Sequence, residues 1–111
     1  MKRYQYVILS AAAEGREAEC AEWYDGQHLG DVLQIDGVVA ARRFQVKVQK
    51  VTNLDAPQWQ SVAIYDIESD DPEGVMAAIS AAAGTEAMPM TEAITRDGLV
   101  QLLVEQSVSK E

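Results

Sequence analysis

The sequence predicts an α+β fold in which two helices pack on one face of a four-stranded antiparallel sheet. β-branched and aromatic segments alternate with Ala- and Glu-rich segments in the order β-α-β-β-α-β, and turn residues lie at the junctions. This order is the ferredoxin-like split pattern. The chain of 111 residues is long enough for one core and too short for two, so residues 1–111 are expected to form one domain with its core at about residues 4–105.

The first strand and the first helix follow from composition. Residues 4–10 (YQYVILS) are aromatic and β-branched, which indicates a strand and not a secretion signal. From residue 14 or 15 the composition becomes helical. Because Gly26 and Gly30 disfavour a helix, we expect it to end around residues 28–29.

A short turn and a hairpin are expected next. Residues 31–34 would form a separate turn, and Asp36-Gly37 closes the connection. Residues 38–48 alternate as a long strand, residues 52–57 have the composition of a loop, and residues 59–67 form the returning strand.

The last helix has clear signals at both ends, whereas the segment between it and the last strand does not. Asp71 suits an N-cap, Pro72 suits the first helical position, and apolar residues then recur at helical spacing until Gly84. Residues 85–96 fit either a short helix or a loop. Residues 99–105 are predicted to be the last strand.

Two of the strands carry apolar side chains on both faces, at residues 62–67 and 99–104. A sheet with one solvated face alternates apolar and polar residues, so this pattern indicates that the second face is also covered. We therefore expect a second copy to pack sheet to sheet, which makes a homodimer with a two-fold axis.

Charge and cysteine content exclude several classes of partner. Nine Lys and Arg against eighteen Asp and Glu give a net charge of -9, which repels nucleic acid phosphates and anionic lipids. No apolar run is long enough to span a bilayer. Cys20 is the single cysteine, so the sequence offers neither a disulfide nor a structural zinc ligand set, and a cytoplasmic location with no bound metal is expected. Within a helix, Cys20 is expected to be a small buried side chain and not a reactive thiol.

The segment with the most chemistry contains His28, the one histidine of the chain. His28 follows Tyr24 by four residues, so the two side chains share a flank of the first helix. His28 is either a general acid or base, or a cap of the helix end. Tyr24 is either a proton donor or a packing residue, and Asp25 either orients His28 or lies in solvent.

Further candidates lie on the strands and beside His28. Arg42 and Arg43 point to opposite faces of the second strand, so at least one must face inward. An inward guanidinium needs a carboxylate such as Asp66 or Glu105, or binds an anionic substrate group. Three aromatic residues are candidate walls of a pocket or ordinary core residues: Trp23, Tyr6 and Tyr65.

A family resemblance rests on residues 23–44. The run WYDGQHLGDVL at residues 23–33, followed by IDGV at 35–38 and ARRF at 41–44, resembles the EthD-like branch of the dimeric α/β-barrel superfamily. The element order extends the resemblance to about residues 4–105. Gly30 and Asp36 stand where this family often has proline, which implies a looser local backbone.

The resemblance implies a homodimer whose two sheets form a barrel, with a pocket inside the barrel or between the sheet and the helices. Superfamily members include cofactor-independent polyketide cyclases, aromatic-ring monooxygenases, lactone isomerases and haem-degrading enzymes. His28 lies on the first helix, whereas the haem-degrading relatives have their histidine on the second, so haem is not expected. No Gly-rich phosphate loop is present, and no cofactor is expected.

These observations predict a cofactor-independent enzyme that acts on a small apolar aromatic or polyketide-like compound, of the cyclase, isomerase, decarboxylase or monooxygenase type. His28 would transfer a proton, while Tyr24 and either Arg42 or Arg43 would stabilise negative charge. The alternatives are a non-catalytic dimeric module that binds a small hydrophobic ligand, an accessory protein of a catabolic pathway, and a purely structural member of the fold.

Overall fold

The computed structural model describes residues 1–55 and 58–111 and has the expected α+β architecture. Its sheet has four strands in the order β2-β3-β1-β4, and all neighbouring strands are antiparallel. The strands are β1 (Arg3–Ala12), β2 (Val38–Gln45), β3 (Ser61–Glu68) and β4 (Ile94–Val104). Both the fold class and the four-stranded antiparallel sheet are confirmed, and the topology is compatible with a ferredoxin-like fold.

Two helical segments connect the strands. The first consists of α1 (Glu17–Trp23), a π-helical turn (Tyr24–His28) and α2 (Leu29–Leu33), which follow one another without a break. The second is α3 (Pro72–Ala82). In the described part of the chain, none of these helices has the length and apolarity to cross a membrane.

The helices cover one face of the sheet. Along β3, burial alternates strictly, with Tyr65 and Ile67 fully buried and Ile64 and Asp66 only half-buried. The buried side chains meet the helices and form one core. Its members are Tyr6, Cys20, Tyr24, Val32, Val38, Ala63, Tyr65, Ile67, Val75, Ile79, Met88 and Ala93. Cys20 is thus buried within α1, as expected of a small core side chain.

The first helix does not end at residues 28–29 and continues to Leu33, so the expected separate turn is wrong. Gly26 and Gly30 do not interrupt it. Their cost in helix propensity is local, whereas burial of Tyr24 and Val32 stabilises the whole segment.

The hairpin strands are shorter than expected. β2 ends at Gln45 and β3 begins at Ser61. Beyond the ladder, the side-chain amide of Gln49 donates to the carbonyl of Trp59 at 2.7 Å and accepts from its N–H at 3.1 Å. A side chain therefore replaces a backbone partner there. Of the expected loop at residues 52–57, positions 56 and 57 lie outside the described residues.

The signals at both ends of α3 are confirmed. Asp71 Oδ1 accepts the N–H of Gly74 at 3.0 Å, and Pro72 occupies the first turn. Gly84 follows the helix with a φ of 86°, a conformation that favours glycine. Residues 85–93 then form turns, and β4 begins at Ile94 and not at residue 99.

Candidate functional site

A cavity of about 320 Å³ lies between the sheet and the helices and has His28 in its wall. Residues of β1, the first helix, α3, the following turns and β4 all contribute to it. Its lining consists of Tyr6, Ile8, Trp23, Tyr24, His28, Ile79, Ser80, Ala83, Met88, Met90, Ile94, Arg96, Leu99 and Gln101. The volume is at the small end of the range for ligand pockets, about 300–1,000 Å³.

The π-helical turn sets the arrangement of the aromatic groups in this wall. Tyr24 and His28 are both buried and meet edge to face, with ring centroids 5.6 Å apart. Trp23 stacks on His28 with centroids 4.2 Å apart and an interplanar angle of 20°. Short π-helical segments inside α-helices are frequent at functional sites.

The hydroxyl of Tyr24 lies 3.2 Å from Ser10 Oγ of β1, and either oxygen can donate. Burial raises the pKa of Tyr24, and the hydrogen bond to Ser10 opposes this rise. Tyr24 therefore stays protonated at neutral pH. When Ser10 donates to it, its own proton is free to point elsewhere.

The imidazole of His28 is buried and electrically neutral at pH 7. Burial lowers its pKa to about 4, and the nearby Asp31 carboxylate only partly offsets the effect. Its Nδ1 atom is buried without a hydrogen-bond partner among the described residues. An unpaired buried nitrogen is costly, and such groups often mark sites of binding or catalysis. His28 does not cap the helix end, because the helix continues beyond it.

Trp23 is held in place from outside the helix. Its Nε1 donates to the carbonyl of Pro89 at 3.0 Å, which ties the turns after α3 to the first helix. Met88 is buried in the same turns, and Met90 lines the cavity beside it. These turns therefore form one wall of the site.

A bulge in β4 forms another part of the wall. β1 and β4 are in register up to Leu9 and Val100 and resume at Ala11 and Thr95, so residues 96–99 of β4 stand opposite one residue of β1. Gly98 in this bulge has a φ of 74°. Both Arg96 and Leu99, at the two ends of the bulge, line the cavity.

Arg42 and Arg43 point to opposite faces of β2, as expected, but neither lines the His28 cavity. Arg42 makes two hydrogen bonds to Asp66, at 2.9 and 3.2 Å, on the open face of the sheet. Arg43 makes two to Asp25, at 2.7 and 2.8 Å, and one to Ser61 Oγ. Both guanidinium groups are paired with carboxylates of the protein, which is one of the two alternatives that the sequence left open.

Asp25 therefore does not orient His28, and its exposed carboxylate pairs with Arg43. The Arg43 guanidinium holds the pKa of this carboxyl below its usual value. The pair links the π-helical turn to β2. Arg43 also lines a second cavity of about 280 Å³, next to Cys20 and Ser61 and apart from His28.

The two strand tyrosines have different places. Tyr6 lines the cavity, and its hydroxyl donates to Gln101 Oε1 at 2.5 Å. Tyr65 lies beside it on β3, with ring centroids 6.1 Å apart, and is a core residue and not part of the lining. The Tyr65 hydroxyl has no partner in the described segments, and burial raises its pKa strongly.

Arg96 and Gln101 are among the cavity residues that the sequence did not indicate. Their positions depend on the bulge, and the bulge depends on strand register, which no local pattern specifies. The only feature of the sequence that indicates this bulge is Gly98 next to Asp97.

Within residues 1–55 and 58–111, no three His, Cys, Asp or Glu side chains come together as metal ligands do. No model of a known protein family matches the chain, and no curated protein matches it significantly.

Proposed function

We propose that this protein is a cofactor-independent enzyme that moves a proton on an apolar aromatic or polyketide-like compound, with His28 as its general acid and base. The observation that carries the proposal is the buried, neutral imidazole of His28, a residue in the wall of a mostly apolar cavity, whose Nδ1 has no hydrogen-bond partner among the described residues. The aromatic groups of Trp23 and Tyr24 lie against it and suit a flat substrate.

The charge state of His28 favours a reaction that begins with removal of a proton. At pH 7 the imidazole has a free lone pair, and its pKa of about 4 makes it a weaker base than an ordinary histidine and its imidazolium a stronger acid. The imidazole would accept a proton from a C–H next to a carbonyl group, which leaves an enolate on the substrate. The imidazolium, destabilised by burial, would then return the proton to another atom of the same molecule. Cyclases and isomerases both use such a sequence.

Tyr24 is suited to assist this step. With Ser10 donating to its oxygen, the Tyr24 proton can be donated to the oxygen where the negative charge develops. This replaces the assistance expected from Arg42 or Arg43, which are occupied by Asp66 and Asp25.

We also propose that the protein is a homodimer of the dimeric α/β-barrel type and a member of the EthD-like branch that residues 23–44 resemble. The support is the face of the sheet opposite the helices, where Phe44 is 51% and Leu102 46% exposed. Apolar neighbours from β1, β3 and β4 share this face with these two residues: Val7, Leu9, Val62, Ile64, Val100 and Val104. Burying such a face yields about 25 cal/mol per Å².

Proton exchange tests the proposed chemistry without knowledge of the natural substrate. We expect the protein to catalyse exchange of the α-protons of 2-tetralone, an enolisable aromatic ketone, in D₂O, as followed by NMR. His28→Gln should lower the exchange rate by about 10²–10⁴-fold. Arg16→Gln, which breaks an exposed pair with Glu19 far from the cavity, is the control and should leave the rate unchanged. Equal rates for His28→Gln and the unaltered protein would refute the role of His28.

A non-catalytic binding module is the second candidate. The hydroxyls of Tyr24 and Tyr6 favour this candidate, because they already form hydrogen bonds within the protein, with Ser10 and Gln101. Saturable binding of 2-tetralone without any catalysed exchange is the outcome expected of this candidate.

A further inference from the structure

Arg96 differs from the other four arginines of the chain. Arg3, Arg16, Arg42 and Arg43 each have a carboxylate within 4 Å, at distances between 2.5 and 3.0 Å. Among the residues that the structure describes, Arg96 has none. Arg96 is therefore the one described arginine without a carboxylate partner, in a protein with eighteen acidic residues and a net charge of -9.

The surroundings of Arg96 are free of negative charge on the cavity side. The described lining contains no Asp or Glu, and Arg96 is its only charged side chain at neutral pH. A guanidinium presents five N–H donors in a flat fork that matches a carboxylate. At the edge of an apolar cavity, this fork is placed to bind the anionic end of a ligand.

Gln101 adds a second donor to the same cavity. Its Oε1 accepts the hydroxyl of Tyr6, which orients the side-chain amide and leaves the two N–H groups of Nε2. No hydrogen bond occupies Nε2 within the described segments. The cavity therefore offers an amide donor in addition to the guanidinium, and both lie on β4.

The rest of the lining suits an apolar body. Ile8 of β1, Ile79 of α3 and Met88 of the following turns surround the cavity, and Trp23 presents a ring face beside His28. The volume of about 320 Å³ matches a compound with one or two rings.

We propose that the ligand of this cavity is an aromatic monocarboxylate whose carboxylate binds the Arg96 guanidinium and Gln101 Nε2, with its rings directed toward Trp23 and His28. The inference rests on the proposed function only in that both use this cavity. A phosphate ester fits less well, since a dianion would meet a single cation in an acidic protein.

Binding of a matched pair of probes tests the proposal. 2-Naphthoate and its neutral analogue 2-naphthamide have the same rings, and isothermal titration calorimetry measures both affinities. We expect 2-naphthoate to bind at least about tenfold more tightly than 2-naphthamide. Arg96→Gln should remove this preference, Arg96→Lys should keep part of it, and Arg16→Gln should leave it unchanged. Because Arg96 is exposed at a bulge, the variants are expected to fold, and circular dichroism checks this.

Equal affinity of the two probes, no binding of 2-naphthoate, or a preference that survives Arg96→Gln would each overturn the proposal. The result is independent of catalysis. A carboxylate preference without any proton exchange supports this inference and contradicts the role of His28. Proton exchange on 2-tetralone without a carboxylate preference contradicts this inference and supports the role of His28.

Discussion

The imidazole of His28 stacks on the indole of Trp23, five residues earlier in the same helix, with ring centroids 4.2 Å apart. In a regular α-helix two residues five apart point about 140° away from each other. The π-helical turn Tyr24–His28 accommodates an additional residue per turn and brings both rings to one side. The site therefore depends on a local departure from α-helical geometry.

The stability of the protein should depend on pH through His28. Its folded-state pKa of about 4 lies below the ordinary value of 6.5, so the unfolded chain binds more protons between these two values. Stability is therefore full above about pH 6.5 and decreases as the pH falls toward 4, by roughly 3 kcal/mol at most. Denaturant unfolding at a series of pH values from about 4.5 to about 7.5, a range that covers most of the interval between these two pKa values, measures the free energy of unfolding.

His28→Gln provides the comparison for this pH dependence, because glutamine does not take up a proton and so removes the contribution of this one side chain. The difference in unfolding free energy between the two proteins should change with pH only within the stated window. A constant difference, or an imidazole NMR signal that titrates near pH 6.5, would show that His28 is not desolvated.

The Asp25–Arg43 pair should stabilise the π-helical turn against β2. A double-mutant cycle with Asp25→Asn and Arg43→Gln is expected to give a coupling free energy of about 0.5–1 kcal/mol, since the carboxylate is 55% exposed and the guanidinium 14%. Chemical denaturation of the four proteins measures it. The same cycle on the more exposed pair Arg16–Glu19 should give a smaller value, and equal values would contradict an anchoring role.

A charge on the open face of the sheet should prevent dimer formation. Leu102 lies on this face and is 46% exposed, so Leu102→Glu is compatible with the folded monomer. Sedimentation velocity at micromolar concentration should give a dimer for the unaltered protein and a monomer for the variant. Leu33→Glu, at a 40% exposed position on α2, is the matched control and should remain dimeric. A monomeric unaltered protein would exclude the barrel.

Two glycines should respond to alanine in opposite directions. Gly37 has a φ of 96°, and a Cβ there would lie 2.8 Å from Val75 Cγ2, so Gly37→Ala should destabilise the protein by roughly 2 kcal/mol. Gly30 has open space around it in α2, so Gly30→Ala should stabilise it by about 0.5–1 kcal/mol. Thermal unfolding measures both, and a destabilising Gly30→Ala would indicate a packing role for this glycine.

The element order and the cap of α3 could be predicted from the sequence, because each depends on local signals such as Asp71-Pro72 and alternating strands. The continuation of the first helix through Gly30 could not, because tertiary burial of Val32 outweighs the propensity of two glycines. Propensity acts on each residue separately, while packing acts on the whole segment.

The candidate site could be predicted in part. His28 and Tyr24 do come together with Trp23, but the four-residue spacing indicated only the Tyr24 contact and not the stack on Trp23. The partners of Arg42 and Arg43 come from elements distant in sequence, so composition offered a choice between carboxylates and a substrate. Arg96 reaches the cavity through a shift of register, which sequence patterns do not reveal.

The bulge at residues 96–99 has a consequence for association as well as for the cavity. β4 is an edge strand, and a long flat edge invites further strands to add to the sheet. The bulge divides β4 into a short pairing segment at residues 94–95 and a second one at residues 100–104. Neither is a long continuous template, so the four residues that bring Arg96 to the cavity also protect the sheet from growing sideways into aggregates.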